Sequence, residues 1–123
     1  MTEAQKIESI YTDHNGVTVT AMSSQRSDKI YWGHSYMVSG LSAKTPGYQM
    51  VEFQHGPVPL NGPNGLTNEA LLAILIHRTE HLDSQFPCVQ NRMAIRAMRD
   101  ALELFETRTK ERQQRNVEGQ NVV

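Results

Sequence analysis

The chain has 123 residues, a formal net charge of −1 and a single cysteine. The length suits one ordinary domain with its own core. The charge balance argues against the extended basic surface that long nucleic acid requires, and the lone Cys88 excludes an internal disulfide and points to a reducing compartment.

The polar start MTEAQKIESI lacks the apolar stretch of a secretory signal. The longest apolar run, 70–76, falls far short of the ~20 residues a membrane helix needs, so a soluble cytoplasmic protein without membrane contact is expected. The first half then reads as strands. Residues 6–11 alternate in part through Ile7 and Ile10, and 17–22 alternate β-branched residues. Between them Asp13-His14-Asn15-Gly16 forms a hairpin turn, with Asn-Gly supplying positive φ. Residues 29–38 (KIYWGHSYMV) are aromatic-rich and strand-like, with Gly33 at a bulge or a close contact. Residues 39–47 carry Ser, Gly and Pro and read as a turn, and 48–54 (YQMVEFQ) form a fourth strand. A small antiparallel sheet of three or four strands follows.

Residues 55–65 (HGPVPLNGPNG) are dense in Pro and Gly, which disfavour helix and strand alike and predict a linker. Helix one begins at Thr67 or Asn68, either of which can cap, with Leu66 packing on Leu71 as a staple. Leu71, Ile74, Leu75, Arg78 and Leu82 recur at helical spacing, and Pro87 with its neighbours ends the helix near Ser84. Helix two runs from about Cys88 to Gln113 or Gln114, with Ala94, Met98, Ala101, Leu102 and Phe105 as its apolar stripe and Gly119 as a stop. The short connection forces an antiparallel hairpin. The expected class is α+β: a β-rich part at 1–55, a linker at 56–66 and a helical hairpin at 67–119. So small a core favours oligomerisation.

Base is concentrated in the second half, where seven of the eight cations are arginine: Arg78, Arg92, Arg96, Arg99, Arg108, Arg112 and Arg115, with Lys110. Arginine's planar fork suits bidentate contact with phosphate. Arg108, Arg112 and Arg115 stand at i, i+4 and i+7, on one face that continues the 101–105 apolar stripe. Solvated charges ordinarily sit opposite such a stripe, so a convergent anion site competes here with stems packed beside Glu106 and Glu111. Gln90 and Asn91 fall in the first turn of helix two, where free N–H groups and the helix dipole favour anions, and Asn91 can both donate and accept. Phe86 and Pro87 either close the hairpin or border that site.

His77 and His81 at i, i+4 lack the order and the further ligands of a metal site, so no metal is expected. His81 near the turn either stacks on a base or is a plain surface histidine. No nucleophile triad, phosphate-cradling glycine loop or isolated carboxylate pair supports catalysis, and His34 and His55 are loose general-base candidates without a sequence partner. The chain reads as a binding protein, with no cofactor expected.

In the helical half, LTNEALLAILIHRTEHL, QFPCVQN and ALELFETRTKERQQRNVEGQ resemble the hairpin domain shared by two phage anti-defence families, the Thoeris anti-defence family and the anti-CBASS sponge family. The resemblance covers about 64–120, and the β-rich first half with the total length is similar to the Thoeris group. It implies a sponge that sequesters cyclic nucleotide signals without cutting them: glycocyclic ADP-ribose from TIR-domain proteins and, for some members, cyclic di- and trinucleotides. By matching motif it implies a stacking role for His81 and ligand contacts at Asn91, Arg108 and Arg112, with Phe86, Gln90, Thr109 and Arg115 in the same segments. This chain departs from the family pattern at Val89-Gln90-Asn91, at His81 in place of a larger aromatic, and at Arg115-Asn116-Val117. Whether Arg26, Lys29 and Trp32 of the β half touch ligand is open.

Asn91 and Arg108 are seventeen positions apart on one helix, about 25 Å at ~1.5 Å per residue, too far for one small ligand to span. Either one end binds alone, or a two-fold pairing of hairpins sets His81 and Asn91 of one chain near Arg108 and Arg112 of its mate. The expected partners are therefore a small anionic nucleotide and further copies of the chain, as a dimer or a dimer-based hexamer. The competing reading is a protein-interaction module that docks a partner on its helical hairpin.

Overall fold

The computed structural model of the chain describes residues 5–43 and 45–115. These fall into two compact units. One holds the described residues up to His55 together with Pro63–Gly65, and the other holds Gly56–Gly62 and the residues from Leu66 onward. The class is α+β.

The first unit is a four-stranded antiparallel meander of β1 (Ile7–Thr12), β2 (Thr18–Arg26), β3 (Lys29–Ser39) and β4 (Tyr48–Glu52), in that spatial order. Asp13 builds the first turn: its carboxylate accepts from the backbone N–H of Asn15 at 2.8 Å and Val17 at 3.0 Å. Gly16 supplies the left-handed residue, with φ 82°. β2 continues well past the alternating segment to a tight turn in which Arg26 pairs with Lys29. Ser27 bridges it at φ 56°, in the left-handed region that two-residue hairpin loops demand. The polar run SSQR carries no alternation, so that extension is set by pairing with β3.

Gly33 sits at a bulge and not at a close contact. The β2–β3 register shifts between Met22 and Ser24, and a Cβ on Gly33 would meet nothing within 4 Å. Adjacent Thr20 and Ala21 are both buried, so the sheet is shielded on both faces at its centre. Tyr36 meets Phe53 edge to face at 5.8 Å. Lys6 sits over the Trp32 ring at 4.2 Å. β1 is an edge strand exposed along its whole length.

The predicted linker is not free of helix. Val58–Asn61 forms a short helix, α1, preceded by Pro57 as its cap and closed by Gly62 at φ 72°. Proline is tolerated here because first-turn N–H groups have no intrahelical partner to lose.

The hairpin consists of α2 (Asn68–Gln85) and α3 (Val89–Gln114). Thr67 is the N-cap, its hydroxyl accepting from the Ala70 N–H at 3.0 Å. The expected stop at Gly119 lies outside the described residues. The interhelical seam differs from the apolar stripe read for α2. Ile76 is 5% exposed, whereas Ile74 is 56% exposed and Leu75 is also exposed. Buried Ile76 lies on a line of half-buried α2 positions, Glu69, Leu72, Thr79 and Asp83, with Leu71 and Leu82 half-buried beside it. On α3 the line is Asn91, Ile95, Met98, Leu102, Thr109 and Arg112, with Phe105 at the margin and Ala101 beside the line. Both lines step by alternating threes and fours, the seam of an antiparallel coiled-coil pair. Polar residues occupy several seam positions, so apolar spacing alone pointed to a neighbouring face. Two bonds set the register, Thr109 Oγ1 donating to Glu69 at 3.0 Å and Arg99 pairing with Glu80 at 2.7 Å. That register places Ile76 opposite Leu102. No helix among the described residues is long and apolar enough to cross a membrane.

Candidate ligand sites of the helical hairpin

Polar residues enter the seam at both of its ends. At the turn end, Phe86 closes α2, its N–H donating to the Leu82 carbonyl at 2.8 Å. Cys88, extended at φ −152°, caps α3. Its N–H donates to the Asp83 carboxylate at 3.0 Å, and its sulfur accepts from the Asn91 N–H at 3.4 Å. Helix geometry leaves the N–H groups of Val89 and Gln90 without intrahelical acceptors, at the positive end of the dipole. Around this end Phe86 is 75% exposed, His81 and Gln90 are exposed, and Asn91 is half-buried in the seam line. A flat apolar ring, an imidazole, an amide and free backbone donors together can hold a base or an anionic group.

At the open end, the Glu69–Thr109 bond closes the seam and Arg112 follows one turn later. Burial divides the three arginines that spacing had placed on one face. Arg112 is 6% exposed, while Arg108 and Arg115 are exposed. Arg112 occupies a seam position, whereas exposed Arg108 and Arg115 flank it, so the buried guanidinium is the more fixed of the three. The two ends are separated by most of the 26 residues of α3. Between them the seam is apolar apart from Thr79, and Ile74, Leu75, Met93 and Leu104 stand exposed on the helices. His77 is exposed, and no cluster of metal-ligating groups forms among the described residues.

The sheet unit holds a constellation that spacing along the chain could not show. His34 and His55 stack at 3.7 Å between ring centroids, 20° from parallel. Tyr31 meets both rings edge-on, at 6.1 Å and 4.9 Å. The Ser24 hydroxyl lies 3.1 Å from His55 Nε2. Burial, then the charges of His34 and Arg26, hold the His55 pKa below its ordinary value. The residues come from β2, from β3 and from the chain just beyond β4. Only a signal of strand pairing could have joined them.

No family model matches the chain. It is 38% identical over 109 residues to Thoeris anti-defense 1 of Bacillus phage SBSphiJ7, across 86% of this chain and 77% of that protein. The chain belongs to the Thoeris anti-defence 1 family. A match over that share of the chain necessarily takes in both units, so family membership extends from the hairpin to the sheet. The phage relative ties the anti-defence resemblance to the Thoeris branch.

Proposed function

We propose that this Thoeris anti-defence 1 family member is a phage anti-defence protein that binds and sequesters a cyclic nucleotide immune signal, such as glycocyclic ADP-ribose, without cleaving it. Cyclic di- and trinucleotides are further candidates. The setting is the cytoplasm of the infected bacterium. The reading is carried by the hairpin, which has a seam with an apolar middle and polar ends, one bearing open α3 N–H groups beside Asn91, the other bearing Arg108, buried Arg112 and Arg115. Phosphates suit both ends, and His81 and Phe86 supply faces on which a base can stack.

The ends are too far apart to share one ligand within a chain. A two-fold pairing of hairpins joins the turn end of one protomer to the arginine end of another, giving two equivalent composite sites. The exposed Ile74, Leu75, Met93 and Leu104 are the apolar surface such pairing would cover. The same surface suits the second reading, a module that docks a protein partner.

The test has two parts. The protein is incubated with glycocyclic ADP-ribose, heat-denatured, and the supernatant examined. Intact ligand is expected, and an altered product would make the protein an enzyme. Asn91→Ala and Arg108→Ala protomers are then mixed. Each alone should lose binding, and the mixture should regain roughly a quarter of the sites, because half of the dimers are mixed and each carries one undamaged site. No recovery would refute the composite site. Absence of binding in the unmodified protein, with a protein partner still captured, would favour the docking module.

A further inference from the structure

We propose that the stacked pair His34–His55 is an acid-sensitive latch, holding the chain's return at Asn64 against the end of the sheet and releasing it when His55 takes up a proton. This stands apart from the ligand reading, since every residue involved belongs to the sheet unit.

The latch has a ring side and a backbone side. On the ring side, His55 lies flat on His34 at 3.7 Å, braced by the Tyr31 edge and held by Ser24. On the backbone side, the His55 N–H donates to Asn64 Oδ1 at 2.8 Å, and its carbonyl accepts from Asn64 Nδ2 at 2.9 Å. The Asn64 N–H donates to Gln54 Oε1 at 2.9 Å. Gly65 then passes so close to Phe53 that a Cβ there would lie 2.5 Å from the Phe53 carbonyl carbon. The stacked ring and the N–H and carbonyl that Asn64 clamps belong to one residue, and this is what couples the two sides.

The surroundings favour a neutral stack. The groups around His55 are Ser24 and Arg26 from β2, Tyr31 and His34 from β3, and uncharged Gln54 and Asn64. Among the described residues no carboxylate forms an ion pair with either imidazole. His34 Nδ1 is buried without a hydrogen-bond partner. As pH falls through the histidine range, a proton on His55 adds a cation facing the charges of His34 and Arg26. The pKa of His55 is depressed in the fold. The neutral stack is therefore fully stabilising above about 6.5, and its contribution is lost as pH falls from there through the folded-state value.

The test uses the full chain and amide hydrogen exchange at pH 7.5 and 5.0, corrected for intrinsic rates. Protection at His55 and Asn64 should fall about tenfold or more at the lower pH, while α2 and α3 amides keep theirs. Unchanged protection at His55 and Asn64, or an equal loss throughout the chain, would overturn the latch. His34→Phe keeps a flat ring in the stack and removes one charge, so its acid-dependent loss should shrink to about threefold or less; an undiminished loss would also overturn it. Should that variant misfold, the His55 ring resonance in the unmodified protein gives the independent measure. Titration of His55 at or above 6.5 contradicts the latch, and a lower midpoint that coincides with the change at the Asn64 amide supports it.

Discussion

Replacing Ile76 by alanine tests the hairpin seam directly. The side chain loses three carbons from a position 5% exposed. At ~0.8 kcal/mol per buried carbon the transfer loss is about 2.4 kcal/mol, and a residual cavity adds to it. Leu72 and Leu102 are only half-buried and can close in part, so a total of about 2–4 kcal/mol is expected, in the lower part of the range for such truncations. Ile74→Ala, two residues away but 56% exposed, should cost under about 1 kcal/mol. The described helices all lie in the second unit, so ellipticity at 222 nm reports that unit. With roughly 3–5 °C per kcal/mol for a chain of this size, Ile76→Ala should lower Tm by about 6–20 °C and Ile74→Ala by about 5 °C at most. Repeating the melts over a hundredfold dilution separates folding from association. If Ile74 lies in a two-fold interface, its effect grows with concentration, while that of Ile76 does not. Equal Tm losses in dilute protein, or a larger loss at Ile74, would refute the seam assignment.

Other substitutions probe single features. Thr67→Ala removes the α2 cap bond and should cost about 1 kcal/mol in a urea titration followed at 222 nm, with Thr67→Asn restoring it. Glu80→Gln breaks the Arg99 ion pair, but both side chains are about half exposed, so stability should change by less than about 0.5 kcal/mol and less still in high salt. Ser27→Gly relieves a left-handed residue and should stabilise the sheet by about 0.5 kcal/mol, measurable by amide exchange on β2 and β3. Gly65→Ala drives a Cβ into the Phe53 backbone and should release the Asn64 clamp at neutral pH, reproducing in exchange the state that acid produces.

Much of the architecture was legible in the residues because it rests on local chemistry. Asp13 and Gly16 make a turn by standing three apart, Thr67 caps α2 by its own hydroxyl, and the Phe86-Pro87 junction cannot continue a helix. The candidate ligand residues were likewise visible as types at helical spacing. That Asn91 and Arg108 lie toward opposite ends of one 26-residue helix follows from their spacing and the rise per residue. What spacing could not decide was which face of α2 meets α3. The Leu71–Ile74–Leu75 stripe is more apolar than the true seam, yet Glu69, Thr79 and Asp83 enter the seam line. Glu69 binds Thr109 and Asp83 caps the turn, bonds that exist only once the second helix is in place. Pairing similarly set the length of β2, the bulge at Gly33 and the burial that distinguishes Arg112 from Arg108. The His34–His55 stack is the clearest case. Its members are separated by a strand and a turn, and neither has a partner until the chain beyond β4 folds back beside β3. Sequence determined the elements, their ends and the chemistry they carry, since these depend on neighbours along the chain. Tertiary structure decided which faces meet and which charges are buried, because those depend on residues brought together from far apart.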